Sequence, residues 1–414
     1  MDLFVSVLYT LYVLLLIALP FLLGKILVMK WLRYVQTRSF VRQNYVLLEL
    51  KLPKDVTRSP VGMELILTHI WQTGAASYHE TFWQGKIRPT FSLELVSDGG
   101  AVHFYIWARK NWRNNIEAQI YSQYPNVEVY EVEDYTKSVF HDINKFTMWG
   151  TIFKYAKPNA YPIKTYIDYG LDQDPKEEFK IDPMTSVLEY LGSLRKGEKT
   201  WIQIIIQAHK KEGKKEGHLK ERPDWTADVK AEVKKIREAT ATKVGDFPGF
   251  PNPTKGDVEV IAALERSLSK LPFEVIIRGI YMADNEIGFN AHNGLAGLIG
   301  SFRQYGSKTL NEMKLGKFTD FGDNGKDFLS MFGWIPIVKS TMRSIRNEME
   351  VRFLNLYKRR YAFMEPFEEF NPKPIVMTTE ELATVFHFPG QVATTPTISR
   401  SASKKAEPPP NLPI

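Results

Sequence analysis

The chain has 414 residues, of which 44% are hydrophobic and 13% aromatic, a composition that excludes a wholly disordered chain and suffices for two domains with cores. The net charge of +7 is compatible with binding to anionic lipid or to nucleic acid and does not choose between them. The absence of cysteine excludes disulfides, thiol nucleophiles and thiolate metal sites, and it fits a reducing compartment.

The first stretch of the chain, residues 3–24, carries no charged side chain. At about 1.5 Å per residue, a helix over this stretch reaches roughly 33 Å, enough to cross a bilayer core of about 30 Å. A cleaved signal peptide needs a positive N-terminal region and a small-residue cleavage site, yet only Asp2 precedes the stretch and no such site follows it. The sequence therefore predicts an uncleaved transmembrane anchor within region 1–43.

Positive charges follow the apolar stretch on one side only. They are Lys25, Lys30, Arg33, Arg38 and Arg42. Because positive flanks stay in the cytoplasm, this asymmetry predicts a single-pass protein of the cell inner membrane, with its N-terminus outside and its bulk in the cytoplasm. Trp31 and Tyr34 suit the headgroup layer of that membrane.

Region 44–140 has the sequence pattern of a ferredoxin-like domain. Strands and helices alternate in the order β-α-β-β-α-β, over residues 45–53, 59–73, 90–97, 101–109, 111–125 and 127–135. The two middle strands join through the turn Asp98-Gly99-Gly100, a standard hairpin sequence. The pattern predicts an antiparallel sheet with both helices on one face.

Region 141–330 repeats this order more loosely. Its predicted elements cover residues 148–156, 182–197, 200–210, 273–283, 285–305 and 309–315. An insertion, 211–272, opens with a charged loop and continues as two helices. The sequence thus predicts an α+β fold of two ferredoxin-like units, the second with a helical insertion.

The C-terminal part is predicted to contain an amphipathic helix in region 331–370 and a flexible, Pro-rich docking tail in region 371–414. Four side chains in segment 378–390 are apolar and would be exposed to water if the tail were free. They are Leu382, Val385, Phe386 and Phe388. We expect this segment to dock onto the chain itself or onto a partner, while 391–414 stays extended and reaches a partner. Replacing the two phenylalanines with serine should release the segment without unfolding the sheets.

The residues suggest no catalytic site, so the sequence predicts a protein that is not an enzyme and uses no cofactor or metal. The phosphate-loop-like stretch 192–200 fails because Glu198 separates Gly197 from Lys199, and because it joins a helix to a strand rather than a strand to a helix. The histidines form no zinc-binding pair, and no serine nucleophile elbow occurs.

A nucleic-acid-binding surface is an alternative. His103, Tyr105 and Trp107 share one face of the strand 101–109, and Lys110 follows. Single-strand binders with this fold stack bases on aromatic rings of such a strand. The usual RNA-binding signature is missing, and aromatic residues at alternate positions are common in ordinary sheets. A membrane-tethered single-strand binder and a general membrane scaffold both remain open.

Three stretches carry a resemblance to a known family: "YVLLELKLPKDVTRSPVGMELILTHIW", "VHFYIWARKNWRNNIEAQIYSQYPNVEVYEVEDY" and the tail "TTEELATVFHFPG" with "TPTISRSASKKAEPPPNLP". They resemble the region that precedes the motor domain in bacterial type IV secretion or conjugation-type ATPases, membrane-linked relatives of the HerA/FtsK-like DNA-pumping motors. The motor itself is absent from this chain, so the resemblance implies no ATPase activity.

The resemblance implies a non-catalytic, membrane-anchored module that positions a separately encoded ATPase of a DNA or protein translocation machine. The tail then resembles a connector to a motor domain that is encoded separately or was lost. The implied partners are membrane lipid, the motor ATPase, DNA and further copies of the chain in an oligomer.

Overall fold

The computed structural model describes residues 2–52, 59–74, 76–173, 181–210, 225–240, 252–319, 336–360, 362–363 and 373–389. Within them the chain has a mixed α+β architecture with one long apolar helix at its N-terminus, which confirms the predicted class. Two predicted features, the charged loop that opens the insertion at 211–224 and the end of the tail at 390–414, lie outside the described residues.

The β-rich stretches of the described residues form nine strands, and all of them belong to one sheet. The strands are β1 (Tyr45–Lys51), β2 (Thr90–Asp98), β3 (Ala101–Arg109), β4 (Glu128–Val132), β5 (Phe146–Tyr155), β6 (Glu198–Ala208), β7 (Pro272–Asp284), β8 (Met313–Phe318) and β9 (Ile375–Thr378). Their order is β4-β1-β3-β2-β6-β7-β5-β8, with β9 paired to β7 beyond the end of β5. Every pairing is antiparallel.

The two halves of the sheet meet along β2 and β6. These strands pair in continuous register from Thr90 opposite Gln207 to Asp98 opposite Lys199. From the outer edge inward, the first half has the order β4-β1-β3-β2 and the second half has the order β8-β5-β7-β6. When the strands are numbered within each half, both orders are 4-1-3-2. The strands of regions 44–140 and 141–330 therefore form one continuous sheet.

Ten α-helices lie in the described residues. They are α1 (Asp2–Arg42), α2 (Val61–Ile70), α3 (Tyr78–Phe82), α4 (Arg113–Gln123), α5 (Pro183–Gly192), α6 (Trp225–Ala239), α7 (Lys255–Leu268), α8 (Gly297–Ser301), α9 (Pro336–Arg359) and α10 (Thr379–Val385). Short 3-10 turns occupy Lys110–Trp112, Tyr135–Ser138 and Arg303–Tyr305, and a π-turn occupies His292–Ala296.

The sheet is covered on both faces. Helices α2, α4, α5, α8 and α10 bury one face, on which Leu48, Ile106 and Ile204 belong to one apolar core. Helix α9 lies against the other face, where Phe353 packs in a second core with Ile205 and Ile280. Because β6 is buried on both sides, its sequence does not alternate, and the consecutive residues Ile204, Ile205 and Ile206 are all buried.

The insertion packs as a pair of helices beside the sheet. Trp225 and Val229 of α6 and Leu264 of α7 form a small core of their own, which also includes Val376 of β9. The two predicted helices of the insertion are present, and α7 begins with a capping box between Thr254 and Asp257.

The predicted helix 285–305 is wrong as a continuous element. The chain instead forms the π-turn, the short α8 and a 3-10 turn. Glycines permit this irregular path, because an added Cβ would lie 2.2 Å from the Tyr281 ring at Gly294 and 2.4 Å from the Tyr190 ring at Gly297. The close backbone approach to these two tyrosines replaces the regular helix that periodicity predicts.

Candidate functional site

Helix α1 has two parts with different surroundings. Its apolar part is exposed and has the length and composition to cross a membrane. Further along the same helix, Leu32, Val35 and Phe40 are buried against the rest of the chain. The helix continues through both parts without a break, although Pro20 lies inside it. The apolar segment and the α+β domain are therefore joined by helix instead of by a linker.

The contact between α1 and the domain combines a hydrogen bond, ring packing and a tight backbone approach. The indole nitrogen Nε1 of Trp31 donates to the carbonyl oxygen of Phe82 at 3.0 Å, and its ring meets Trp83 edge-on with centroids 5.7 Å apart. Gly85, at φ +66°, lies so close to α1 that an added Cβ would be 2.2 Å from the Val35 carbonyl oxygen. The loop after α3 thus packs directly against the helix backbone.

We expect Gly85→Ala to loosen this contact, because the added methyl group would collide with the backbone of α1. An alanine at positive φ also costs roughly 1–2 kcal/mol. Hydrogen–deuterium exchange of the full chain in detergent should become faster at amides 32–42.

Gly170→Ala is the matched control, since Gly170 has φ +68° and no atom within 4 Å of an added Cβ. It carries the same backbone cost without the collision. Equal exchange at amides 32–42 in both variants would contradict the packing role of Gly85.

The predicted membrane flank lies along α1. Lys25, Lys30, Arg38 and Arg42 are exposed, whereas Arg33 is half-buried. Arg33 lines a cavity of about 920 Å³ between α1, the start of β1 and the end of α9. The wall of this cavity is mixed. It contains apolar rings and both signs of charge, from Phe40, Tyr45, Trp107, Glu131, Glu133, Asp134, Lys358 and Arg359.

The four nucleic-acid candidates do not form an open platform. Tyr105 and Trp107 are buried, and each ring is stacked on a tyrosine, Tyr135 at 5.3 Å and Tyr45 at 4.0 Å. The Arg360 guanidinium lies 5.3 Å from the centre of the Trp107 ring. A base could reach these rings only if protein side chains moved away.

The other two candidates of that group are polar. His103 Nδ1 is 2.7 Å from Glu49 Oε1 on the neighbouring strand, and Lys110 is exposed at the end of β3. The hydrogen bond from His103 lowers the pKa of the Glu49 carboxyl. Base binding stays a prediction that this geometry does not favour.

The sequence patterns do not predict the buried ion cluster that lies beside the C-terminal end of α9. The Arg360 guanidinium donates to both oxygens of Glu94, at 2.7 and 2.9 Å, and to Asp134 at 2.6 Å. Tyr135 donates to Glu94 at 2.8 Å. Arg360 and Glu94 are 1% and 0% exposed, and 266 positions separate them in the sequence. No local pattern predicts such a pair.

The four predicted partner-docking residues are all in the interior of this chain. Leu382, Val385, Phe386 and Phe388 are at most 2% exposed. The Phe386 and Phe388 rings each contact Phe104 of β3 edge-on, and Phe388 also contacts Tyr124 at 4.7 Å. The segment docks, as predicted, but it docks onto its own domain, between α2 and α5.

Polar groups of this segment are buried together with its apolar ones. Glu381 accepts hydrogen bonds from the Tyr155 hydroxyl at 2.9 Å and from the backbone of Ile163 at 3.0 Å, while its second oxygen caps α10 through Thr378. His387 Nε2 is 3.1 Å from Asp182 Oδ2. Although burial alone would lower it, the Asp182 carboxylate raises the pKa of His387.

Glu381 should make stability fall as the pH rises. Complete burial raises the pKa of Glu381 from its ordinary 4.5 to about 7, so between these values the folded state holds a proton that the unfolded state has lost. This contribution is fully present below the unfolded pKa and is lost as pH rises through the folded one, a change of roughly 3 kcal/mol.

The measurement is the free energy of unfolding of the full chain from about pH 5 to about pH 8, compared with Glu381→Gln. The glutamine forfeits one acceptor, so the comparison concerns the slope with pH and not the absolute stability. The variant should have the flatter profile, and Glu286→Gln, at an exposed position, should keep the original slope. Parallel profiles for all three proteins would contradict the assignment.

Among the described residues, no group of three histidine, aspartate or glutamate side chains is placed to hold a metal ion. No curated protein matches this chain. A family model matches residues 68–314, from the last turn of α2 into β8, and thus includes α3 and the centre of the sheet. The match covers more than half of the 414 residues, and the chain therefore belongs to the family described as Domain of unknown function (DUF8128).

Proposed function

We propose that this chain is a non-catalytic, membrane-anchored scaffold that holds its α+β domain in a fixed position at the bilayer surface. One observation carries the proposal: α1 runs unbroken from its exposed apolar part into turns that are buried against the domain. A helix of 41 residues is about 61 Å long, so it can cross a bilayer core of about 30 Å and still extend along the domain.

The continuous helix also argues against a cleaved leader. Cleavage after the apolar stretch would remove the part of α1 that precedes Leu32 and Val35, and would leave their buried turns without helical support. A flexible linker would let the domain swing, whereas the Trp31, Val35 and Phe40 contacts hold it against the anchor. Such rigidity suits a part whose task is to fix position.

We further propose that the sheet consists of two ferredoxin-like units joined edge to edge. The orders β4-β1-β3-β2 and β8-β5-β7-β6 are each those expected for the β-α-β-β-α-β motif, and antiparallel pairing supports the assignment. The joint is the β2–β6 pairing, which protects one edge of each unit from other chains. The remaining surfaces are then available for further copies in an oligomer.

More specifically, we propose that the chain lies in the cell inner membrane, with its α+β domain in the cytoplasm. There it positions a separately encoded ATPase of a type IV secretion or conjugation-like machine. The exposed Lys25, Lys30, Arg38 and Arg42 support the orientation, and the sequence resemblance supports the partner. The ion cluster and buried tail give the domain a rigid frame, as a scaffold requires.

Anchoring and orientation can be tested on one variant of the cysteine-free chain. We expect Glu286→Cys full-length protein to stay with membranes after an alkaline carbonate wash. A membrane-impermeant maleimide should label it in lysed cells and not in intact spheroplasts. Extraction by carbonate would overturn the anchor, and labelling of intact spheroplasts would overturn the orientation.

The ATPase partner needs a separate test. After crosslinking in native membranes, purification of the full chain should enrich a protein with a nucleotide-binding P-loop, and the two purified proteins should bind each other in nanodiscs. A control chain that consists of α1 fused to an unrelated soluble domain should not bind it. Absence of direct binding by the full chain would leave the general membrane scaffold as the function.

A further inference from the structure

A row of aromatic rings runs from α1 onto α3. Tyr34 lies 6.1 Å from Trp31, Trp31 lies 5.7 Å from Trp83, Trp83 lies 5.5 Å from Phe82, and Phe82 lies 5.6 Å from Tyr78, all measured between ring centroids. We name these five residues the aromatic row. The row is continuous with the apolar part of α1, because Trp31 follows the apolar residues 26–29 by only two positions.

Much of the aromatic row is open to the surroundings. Tyr78 is 79% exposed, Trp83 is 59% exposed and Tyr34 is 56% exposed. Contiguous exposed rings of this kind mark a binding surface in a folded protein. Tyrosine and tryptophan have an apolar body and a polar tip, the combination that is enriched where a bilayer meets water.

The height of the row along α1 corresponds to the headgroup layer. At about 1.5 Å per residue, the seven residues from Gly24, where the uncharged stretch ends, to Trp31 advance roughly 10 Å along the helix axis, and helical side chains lean back toward the N-terminus, here toward the membrane. The polar layer of a bilayer extends about 5–7 Å outside its hydrocarbon core on each side. Rings in contact with Trp31 therefore lie at the outer side of this layer if the apolar part of α1 crosses the membrane.

Local structure holds α3 in place beside α1. Ser77 and Glu80 form a reciprocal capping box, and Lys86 Nζ contacts Glu80 at 2.9 Å. Gly85 then brings the following loop against the α1 backbone. The exposed rings are thus presented on a fixed support beside the anchor, with His79 and Lys30 exposed nearby as polar or cationic neighbours for lipid headgroups.

We propose that α3 and Trp83 form a second membrane contact, which rests in the headgroup layer of the same bilayer that α1 crosses. This inference rests on the proposed anchoring and adds a consequence to it. A single helix allows the domain to rotate about the helix axis, whereas a second contact beside the helix fixes both rotation and tilt. The ligand class is the phospholipid interface, recognised by amphipathic rings.

The test uses single-cysteine variants of the full chain in nanodiscs of phosphatidylethanolamine and phosphatidylglycerol. The chain has no native cysteine, so each label has one position. His79→Cys and Gln84→Cys place an environment-sensitive fluorophore beside the exposed rings without removing any of them. Leu16→Cys reports on the apolar part of α1. Glu286→Cys places the reference label just after the C-terminal end of β7. Nitroxide-labelled lipids quench from the headgroup or from mid-chain.

We expect headgroup nitroxides to quench the labels at positions 79 and 84 several-fold more than the label at position 286. Mid-chain nitroxides should quench the label at position 16 most. If positions 79 and 84 match position 286 while position 16 is quenched, the second contact is overturned and the anchor stands. If position 16 is not quenched either, the proposed anchoring falls together with this inference.

A ring-deleted variant tests whether the aromatic side chains make the contact. Adding Tyr78→Ser and Trp83→Ser to the Gln84→Cys protein should lower headgroup quenching to the level of position 286, without changing quenching in an equivalent Leu16→Cys protein. Both rings are mostly exposed and belong to neither core of the sheet, so the sheet should unfold at its original temperature. Because Trp83 also packs on Trp31, Tyr78→Ser alone, which keeps that contact, should lower the quenching part of the way. Unchanged quenching at position 84 would overturn the assignment of the contact to these rings.

Discussion

Phe388→Ala is expected to lower the free energy of unfolding of this protein by about 3–5 kcal/mol, the usual cost of deleting a buried phenylalanine ring. Phe388 is 1% exposed and contacts the rings of Phe104 and Tyr124. The lost ring leaves a cavity in the core beneath α10, which its neighbours can fill only in part. Chemical unfolding of the full chain in detergent, followed by near-ultraviolet circular dichroism, measures the change.

Phe140→Ala is the control for this prediction, because Phe140 is 75% exposed and its ring adds little to either core. Its effect should stay within about 0.5 kcal/mol of the original stability. A comparably small effect of Phe388→Ala would show that segment 378–389 is attached to the domain without being part of its core.

The structure also changes the expectation that serine at Phe386 and Phe388 would release the segment and spare the sheet. Phe104 of β3 contacts both rings, so the sheet loses core packing when they are removed. Hydrogen–deuterium exchange separates the two outcomes. Faster exchange at amides 375–389 alone indicates release, whereas faster exchange that includes 101–109 indicates that the segment and the sheet unfold together.

Local sequence patterns located most of the regular elements. The turn at Gly99 and Gly100 joins β2 and β3 as predicted, and Asp182 caps α5 by accepting from the amide of Met184. The sequence also suggests Ser59 as the cap of α2, with Pro60 at the first helical position. In the structure Pro60 is the N-cap, and the Ser59 hydroxyl donates to the carbonyl oxygen of Leu171 at 2.6 Å, while the Val61 amide is 3.5 Å from Ser59 Oγ. A partner distant in sequence outweighed the local preference.

Elements that depend on distant contacts were harder to predict. Helix α3 has only five residues, and its stability depends on Glu80 and on packing against α1. The pairing of β2 with β6 has no local signature, because any two apolar strands can pair and only the whole fold decides which do. Sequence reasoning therefore found the repeated order of elements and could not show that they share a sheet.

Sequence patterns also could not show whether the candidate site residues are exposed or covered. Alternation in β3 correctly places Tyr105 and Trp107 on one face, yet it cannot tell whether that face is open. In the structure, Tyr45 and Tyr135 stack on these rings, and Arg360, the residue after α9, lies over the Trp107 ring. The apolar pattern of 382–388 likewise predicts burial without stating what will cover it.

Arg360→Met is expected to destabilise the protein by about 3–5 kcal/mol, because it leaves a buried carboxylate without its partner. Methionine keeps much of the side-chain volume, so the loss is mainly one of charge. Among the described residues, Glu94, which is 0% exposed, would keep its neutral partners Tyr135, Ser92 and Gln203. The free energy of unfolding in detergent is again the measurement.

Arg352→Met is the matched control for this substitution. Arg352 lies on α9 itself and pairs with Glu348 at 2.6 Å, but both side chains are about 60% exposed. Exposed pairs of this kind contribute little because water screens them and side-chain entropy opposes them. Similar losses in both variants would contradict a special role for the buried cluster.

A second substitution separates the charge of Glu94 from its shape. If Arg360→Met is costly because Glu94 loses its ion-pair partner in the interior, Glu94→Gln should recover part of the loss in the double variant. Arg360→Lys should lie between, because an ammonium group keeps the charge but cannot donate to both oxygens of Glu94 in a fixed fork. Purely additive losses would instead mean that Arg360 acts through packing on Trp107 and not through the carboxylate.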